Sequence, residues 1–204
     1  MKKVGAMAAA LLVSVAVASL GARVGQPGAP FTASDTKGRQ HKLSDYQGKF
    51  VVLEWHNQGC PFVAKHYNSG NMQRLQREWT AKGVVWFTVI SSAPGKQGYV
   101  TAAQEDAYVS EKKANPSAVL LDPAGDVGRA YGARTTPHMF VIDPKGVLVY
   151  NGAIDDKPTT DTADVAGALD YVSTALREAM LGKAVTTPAT QPYGCSVKYA
   201  EATH

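Results

Sequence analysis

Two runs of this chain, Phe50–His56 (FVVLEWH) and Val84–Ser91 (VVWFTVIS), are apolar and β-branched. Neither alternates apolar with polar residues. A strand of that composition has to be covered on both faces, so helices must flank the sheet that holds it. The residues between the two runs supply them. Pro61–Tyr67 reads as one or two helical turns, interrupted at Asn68-Ser69-Gly70-Asn71. A second helix follows, with Met72, Leu75 and Trp79 on one stripe and Gly83 as its stop. Downstream, AVLLD (118–122) is a short strand and Asp126–Tyr131 a short helix. HMFVID and VLVYNGAI are strands joined by Pro144-Lys145-Gly146. Asp161–Leu181 reads as one long helix with Val165, Leu169, Val172, Leu176 and Met180 facing inward. Upstream, Asp35-Thr36-Lys37-Gly38 predicts a β-hairpin, and Leu43–Tyr46 a helical turn capped by Ser44. Gly95–Pro116 is polar, contains a helix over Thr101–Lys113, and reads as an insertion. The order predicts an α/β domain with a mixed central sheet covered by helices.

The chain has 204 residues, 45% hydrophobic and 19% charged, which suits one domain with a real core. The formal net charge is +4 with no Lys/Arg cluster, which argues against a nucleic-acid surface. Lys2 and Lys3 precede an apolar, Ala-rich run from Val4 to Leu20, the order of a secretory signal peptide. Ala16-Val17-Ala18 and Ala22 offer cleavage positions. Residues 1–22 are therefore expected to be a signal peptide, and the protein to be exported, into the periplasm, with no stable membrane insertion after processing. Such a compartment is oxidising and lets disulfides persist.

Only two cysteines are present, Cys60 and Cys195, 135 positions apart. Cys60 follows a buried strand and directly precedes Pro61, a residue suited to the first position of a helix. A thiol there meets free backbone N–H groups and the positive end of the helix dipole, both of which favour the nucleophilic thiolate. The polar lead-in His56-Asn57-Gln58-Gly59 places it on a loop. A second feature is Pro137, which opens the strand HMFVID. A cis bond between Thr136 and Pro137 would present the Thr136 backbone for strand-like pairing with a substrate; an ordinary trans turn proline fits the pattern equally well.

Together, LSDYQGK, the strand into CPFV, ARTTPHMFVID, the following G-x-L-x-Y-x-G-x-I-D and the last helix resemble a thioredoxin-fold redoxin of the alkyl hydroperoxide reductase/thiol-specific antioxidant superfamily, of an exported bacterial type with an N-x-x-C-P-F-V motif (57–63). The resemblance covers about residues 25–182. It implies a redoxin domain over 25–183, a C-terminal arm over 184–204, an attacking Cys60 and a cis-Pro137. The implied activity is thiol–disulfide exchange or thiol-dependent peroxide reduction, with a thiol/disulfide protein or a small peroxide as substrate, an external thiol as reductant, and no cofactor.

The departures from the family pattern matter. Val63 stands where a Cys-x-x-Cys motif has its second thiol. Leu53 and Asn57 stand where peroxiredoxins carry proline and the peroxide-positioning threonine or serine. Cys195, in QPYGCSVKY, is the candidate resolving thiol; pairing between chains, a free thiol and a permanent structural bridge remain open beside it. Thr136, Arg134, Asn57 and His56 are the candidate substrate contacts, and His66 and His138 are the other histidines near the site. A copper- or zinc-binding role for Cys60 with these histidines, and a non-catalytic module, are the alternative classes.

Overall fold

The computed structural model describes residues 21–201. The proposed signal peptide falls almost wholly outside them. The chain opens with β1 (Thr32–Asp35) and β2 (Gln40–Lys42), the expected hairpin, and a 3-10 turn at Leu43–Tyr46. Then come β3 (Val51–Trp55), α1 (Pro61–Asn68), α2 (Asn71–Ala81), β4 (Val85–Ile90), α3 (Ala102–Lys112), β5 (Ala118–Leu121) and α4 (Asp126–Tyr131). The remaining elements are β6 (Thr135–Thr136), β7 (His138–Ile142), β8 (Leu148–Gly152), α5 (Tyr171–Met180) and β9 (Cys195–Ser196).

Seven strands form one sheet in the order β2-β1-β5-β4-β3-β7-β8. Strands β3, β4 and β5 run parallel, while β7 and β8 continue the sheet antiparallel from β3, and β1 and β2 from β5. The two unalternating runs are the two central strands. Their side chains divide between two cores, as the period of a strand requires. Val51, Leu53 and Trp55 of β3 join Val85, Phe87 and Val89 of β4 and Tyr131 of α4 on one face. Val52 and Trp86 join Met72, Leu75 and Trp79 of α2 and Val172, Ala175 and Leu176 of α5 on the other. Each fully buried Leu or Val contributes roughly 1.5–3 kcal/mol relative to exposure. Trp79 Nε1 also donates to Ser173 Oγ at 3.1 Å, tying α2 to α5.

Glu54 is buried on this second face. Tyr67 Oη (2.7 Å), Trp86 Nε1 (2.8 Å), Gln76 Nε2 (3.1 Å) and Thr88 Oγ1 (3.3 Å) all donate to its carboxylate. Four donors are what makes a buried carboxylate tolerable.

Two local expectations are corrected. Ser44 lies inside its 3-10 turn; Lys42 holds the capping position, its N–H donating to Asp45 Oδ2 at 3.3 Å. The long C-terminal helix is two pieces, a 3-10 segment over Thr162–Gly167 and α5. Asp170 breaks it by accepting from the Ser173 N–H at 2.9 Å as the cap of α5. Asp156 Oδ1 accepts from the Leu169 N–H at 2.8 Å. Leu169, expected to face inward, is 52% exposed.

Candidate redox site

Cys60 is the N-cap of α1 and Pro61 its first residue. The loop before it is wound by Asn57, whose side-chain oxygen accepts from the Gly59 N–H (2.9 Å) and whose carbonyl accepts from the Cys60 N–H (3.0 Å). The Asn57 amide nitrogen donates to Gln97 Oε1 at 2.9 Å, which bolts the loop to the segment before α3. Asn57 therefore positions the turn, and its carboxamide is committed to protein partners.

The arm supplies the other half of the site. β9 pairs antiparallel with β6, outside the main sheet, with Cys195 opposite Thr136 and Ser196 opposite Thr135. The Val197 N–H adds a bond to the Arg134 carbonyl at 3.0 Å. The Thr136–Pro137 bond is cis. The Cys60 thiol donates to the Thr136 carbonyl at 3.0 Å, and Cys195, paired with that same Thr136, packs against the core cluster that holds Cys60. Both cysteines are free thiols, Cys60 fully buried and Cys195 partly so. Gly194 makes the close approach possible. Its φ of 130° is unfavourable for other residues, and a Cβ there would overlap the Thr136 carbonyl oxygen.

The two thiols are electrostatically unequal. Burial pushes the Cys60 pKa up, but hydrogen bonds from the Cys195 thiol, the Thr136 hydroxyl and the Val63 and Cys195 N–H groups outweigh it, and the net shift is downward. The Val63 N–H is a free donor of the first turn of α1, so the helix terminus contributes as its position suggests. Cys195 moves the other way, to about 11, through burial and through donating to, and lying beside, the Cys60 sulfur.

Tyr193, two residues before Cys195, anchors the arm. Its hydroxyl donates to Asp155 Oδ1 and its ring packs on Phe62 of α1 with centroids 5.8 Å apart. Beneath it, Lys65 is buried with Nζ 3.6 Å from Asp155 Oδ2 and donating to the Lys157 carbonyl at 2.6 Å. In the sequence Lys65 and Asp155 carry no motif that marks them as part of this site. The Tyr-Gly-Cys triplet was the available signal: an anchor, a residue permitting close approach, and a thiol.

The remaining candidates lie elsewhere. His56 is buried between Glu54 and Glu105, at 3.8 and 3.6 Å, and packed on Tyr67 and Tyr108. Burial opposes its protonation, but the two carboxylates outweigh burial and raise its pKa. It belongs to the core. The Arg134 side chain is exposed, while its N–H donates to His138 Nδ1 at 3.2 Å. His138 Nε2 meets Asn151 Oδ1 at 2.8 Å, and His66 meets Tyr193 Oη at 3.3 Å and Asn71 Nδ2 at 3.0 Å. Among the described residues, no group of three His, Cys, Asp or Glu side chains is placed to hold a metal.

A family model described as the AhpC/TSA family matches residues 24–151. The chain belongs to the AhpC/TSA family. This AhpC/TSA protein accordingly has a thiol-dependent redox function. No curated protein matches it. Among solved structures it is similar to a hypothetical protein of Sinorhizobium meliloti 1021, with TM-score 0.74 and 22% identity over 88% of this chain and 96% of that one. It is also similar to the thioredoxin domain of a thiol-disulfide oxidoreductase of Bacteroides vulgatus (TM-score 0.50, 20% identity, 71% and 96% coverage). A third is a secreted disulfide oxidoreductase of Mycobacterium tuberculosis (TM-score 0.50, 19% identity, 67% and 92% coverage). These likenesses establish a thioredoxin-like fold for the AhpC/TSA chain. No helix among its described residues is long and apolar enough to cross a membrane.

Proposed function

We propose that this protein is an exported thiol–disulfide oxidoreductase with Cys60 as nucleophile and Cys195 as resolving thiol. The observation that supports this reading is the pairing of β9 with β6, which sets Cys195 opposite Thr136, whose carbonyl accepts from the Cys60 thiol. The Cys60 thiolate attacks one sulfur of a substrate disulfide and displaces the other as a thiolate, giving a mixed disulfide. Cys195 then loses its proton to solvent and attacks the Cys60 sulfur. This forms the Cys60–Cys195 disulfide and releases the second substrate thiolate, so two thiols are oxidised as one disulfide is reduced. An external thiol restores the pair. The backbone of Thr136, beside Pro137, lies along the path of an incoming chain. Residues 1–22 act as the export signal, the redoxin domain spans 25–183, and the arm spans 184–204.

Disulfide is favoured over peroxide as the substrate because Asn57, at the peroxide-positioning place, is bonded to Gly59 and Gln97 rather than turned to the thiol. Stopped-flow oxidation of the reduced protein tests this. Disulfide should oxidise it with formation of a Cys60–Cys195 linkage, identified by mass spectrometry of non-reduced peptides. Peroxide should react no faster than with free cysteine. Rapid peroxide oxidation, or the absence of that linkage, refutes the proposal.

A further inference from the structure

The arm does more than deliver a thiol: it fills the groove beside Cys60 as a bound peptide would. Its cysteine stands opposite Thr136, whose carbonyl accepts from the Cys60 thiol, its backbone pairs with β6, and its tyrosine ring occupies a built recess. In that recess a buried carboxylate, Asp155, accepts from the phenol and Phe62 packs against the ring at a tilt of 60°. The glycine between tyrosine and cysteine has no room for a side chain against the Thr136 carbonyl. With the arm seated, Cys60 is fully buried. A substrate sulfur reaches it only if residues 191–197 lift away between their flanking attachments. On one side the Thr190 N–H donates to the Asn151 carbonyl (3.1 Å); on the other the Ala93 N–H donates to the Lys198 carbonyl (2.8 Å). Lifting exposes the β6 edge, which is then free to pair with another extended chain.

We infer that this groove is a peptide-recognition site selective for extended polypeptide disulfides carrying a Tyr-Gly-Cys segment, and that the protein's own arm is the resident occupant such a segment displaces. The inference rests on Cys60 being the nucleophile. Selectivity comes from two residues of the incoming chain. The one before the cysteine must lack a side chain, and the one before that must bring an aromatic hydroxyl to Asp155.

The test uses the full chain with Cys195→Ser, so that Cys60 is the single thiol. The probe is a nonapeptide copying residues 191–199, its cysteine blocked as a mixed disulfide with thionitrobenzoate. Attack of Cys60 on the peptide sulfur forms the Cys60–peptide disulfide and releases coloured thionitrobenzoate. The Gly-to-Ala peptide should react at least about tenfold more slowly, since a clash with fixed backbone costs more than the ~1.4 kcal/mol that a factor of ten represents. The Tyr-to-Ala peptide should also be slower. Adding Gly194→Ala to the protein should speed the reaction of the parent peptide, because the protein's own arm can no longer seat. Bis(thionitrobenzoate), which needs no groove, reports on the nucleophile alone when applied to the Gly194→Ala protein, whose arm no longer covers Cys60. Equal rates for the glycine and alanine peptides, or a slower Gly194→Ala protein, overturn the groove inference while a fast small disulfide leaves the nucleophile standing. A small disulfide no faster than with free cysteine overturns both.

Discussion

The Tyr193 hydroxyl is the clearest place to test whether the arm gates Cys60. Tyr193→Phe keeps the ring on Phe62 and deletes the bond to Asp155, along with the longer 3.3 Å contact to His66 Nε2. A hydrogen bond to a charged group contributes roughly 1.5–3 kcal/mol. The low end applies here, because Asp155 keeps the Lys157 N–H at 3.0 Å and the Lys65 ammonium at 3.6 Å. Once the arm lifts, water solvates the carboxylate, so the loss falls on the closed state. Opening should therefore become easier by about 1.5 kcal/mol, or about tenfold in its equilibrium constant. Cys60 is fully buried when the arm is closed, so its alkylation requires opening, and the rate should rise by the same factor. The assay is iodoacetamide modification of Cys60 in the Cys195→Ser background, with and without Tyr193→Phe, at fixed pH. An alkylation rate unchanged by the substitution would show that the anchor does not control access, and the gating argument would fall.

Other perturbations follow from the same contacts. Cys195→Ala removes the thiol that bonds the Cys60 sulfur, so the Cys60 pKa should rise, read from thiolate ultraviolet absorbance against pH; a fall or no change contradicts the assigned polarity. His66 and His138 are held neutral by burial, with pKa values lowered from 6.5 to about 4. Their contribution to stability is complete above 6.5 and is lost as pH falls toward 4, by up to ~3 kcal/mol each. Urea titrations across that window should show the decline, with a shallower slope in His66→Gln. Glu54→Ala strands four buried donors and should cost about 3–5 kcal/mol in chemical denaturation; a loss under about 1 kcal/mol would mean water replaces the carboxylate. Asp170→Ala should cost about 1 kcal/mol by uncapping α5, visible as a lower urea midpoint with an unchanged slope.

The sheet and its order could be read from residues because apolar runs and helical stripes are local signals. Val52 and Trp86 announce buried strands, and Leu75 and Trp79 a packed helix, whatever surrounds them. What failed was decided by competition between side chain and backbone. Val165, Leu169 and Val172 share a helical period, yet Asp170 and Asp156 capture the N–H groups that would have continued one helix. In the site, the strand–Cys–Pro junction placed Cys60 because the cause is local. The roles expected of Asn57 and His56 depended on which way each side chain turns, and that is set by Gln97 and Glu105, 40 and 49 positions away. The meeting of Cys195 with Cys60 lies beyond any local rule; only Gly194 hinted that the arm approaches another backbone closely.

The separation of the two thiols along the chain has an energetic consequence of its own. Joining Cys60 to Cys195 would close a covalent ring of 135 positions around most of the domain. A cross-link closing a loop that long restricts the unfolded chain strongly, by roughly 4–5 kcal/mol on the chain-entropy account. Linkage runs both ways: whatever the bond adds to the fold, the fold adds to the bond. A redox pair only three positions apart cannot draw on that source. The oxidised state of this protein should resist both heat and reductant together, and every turnover that reopens the ring should return the domain to its less stable form.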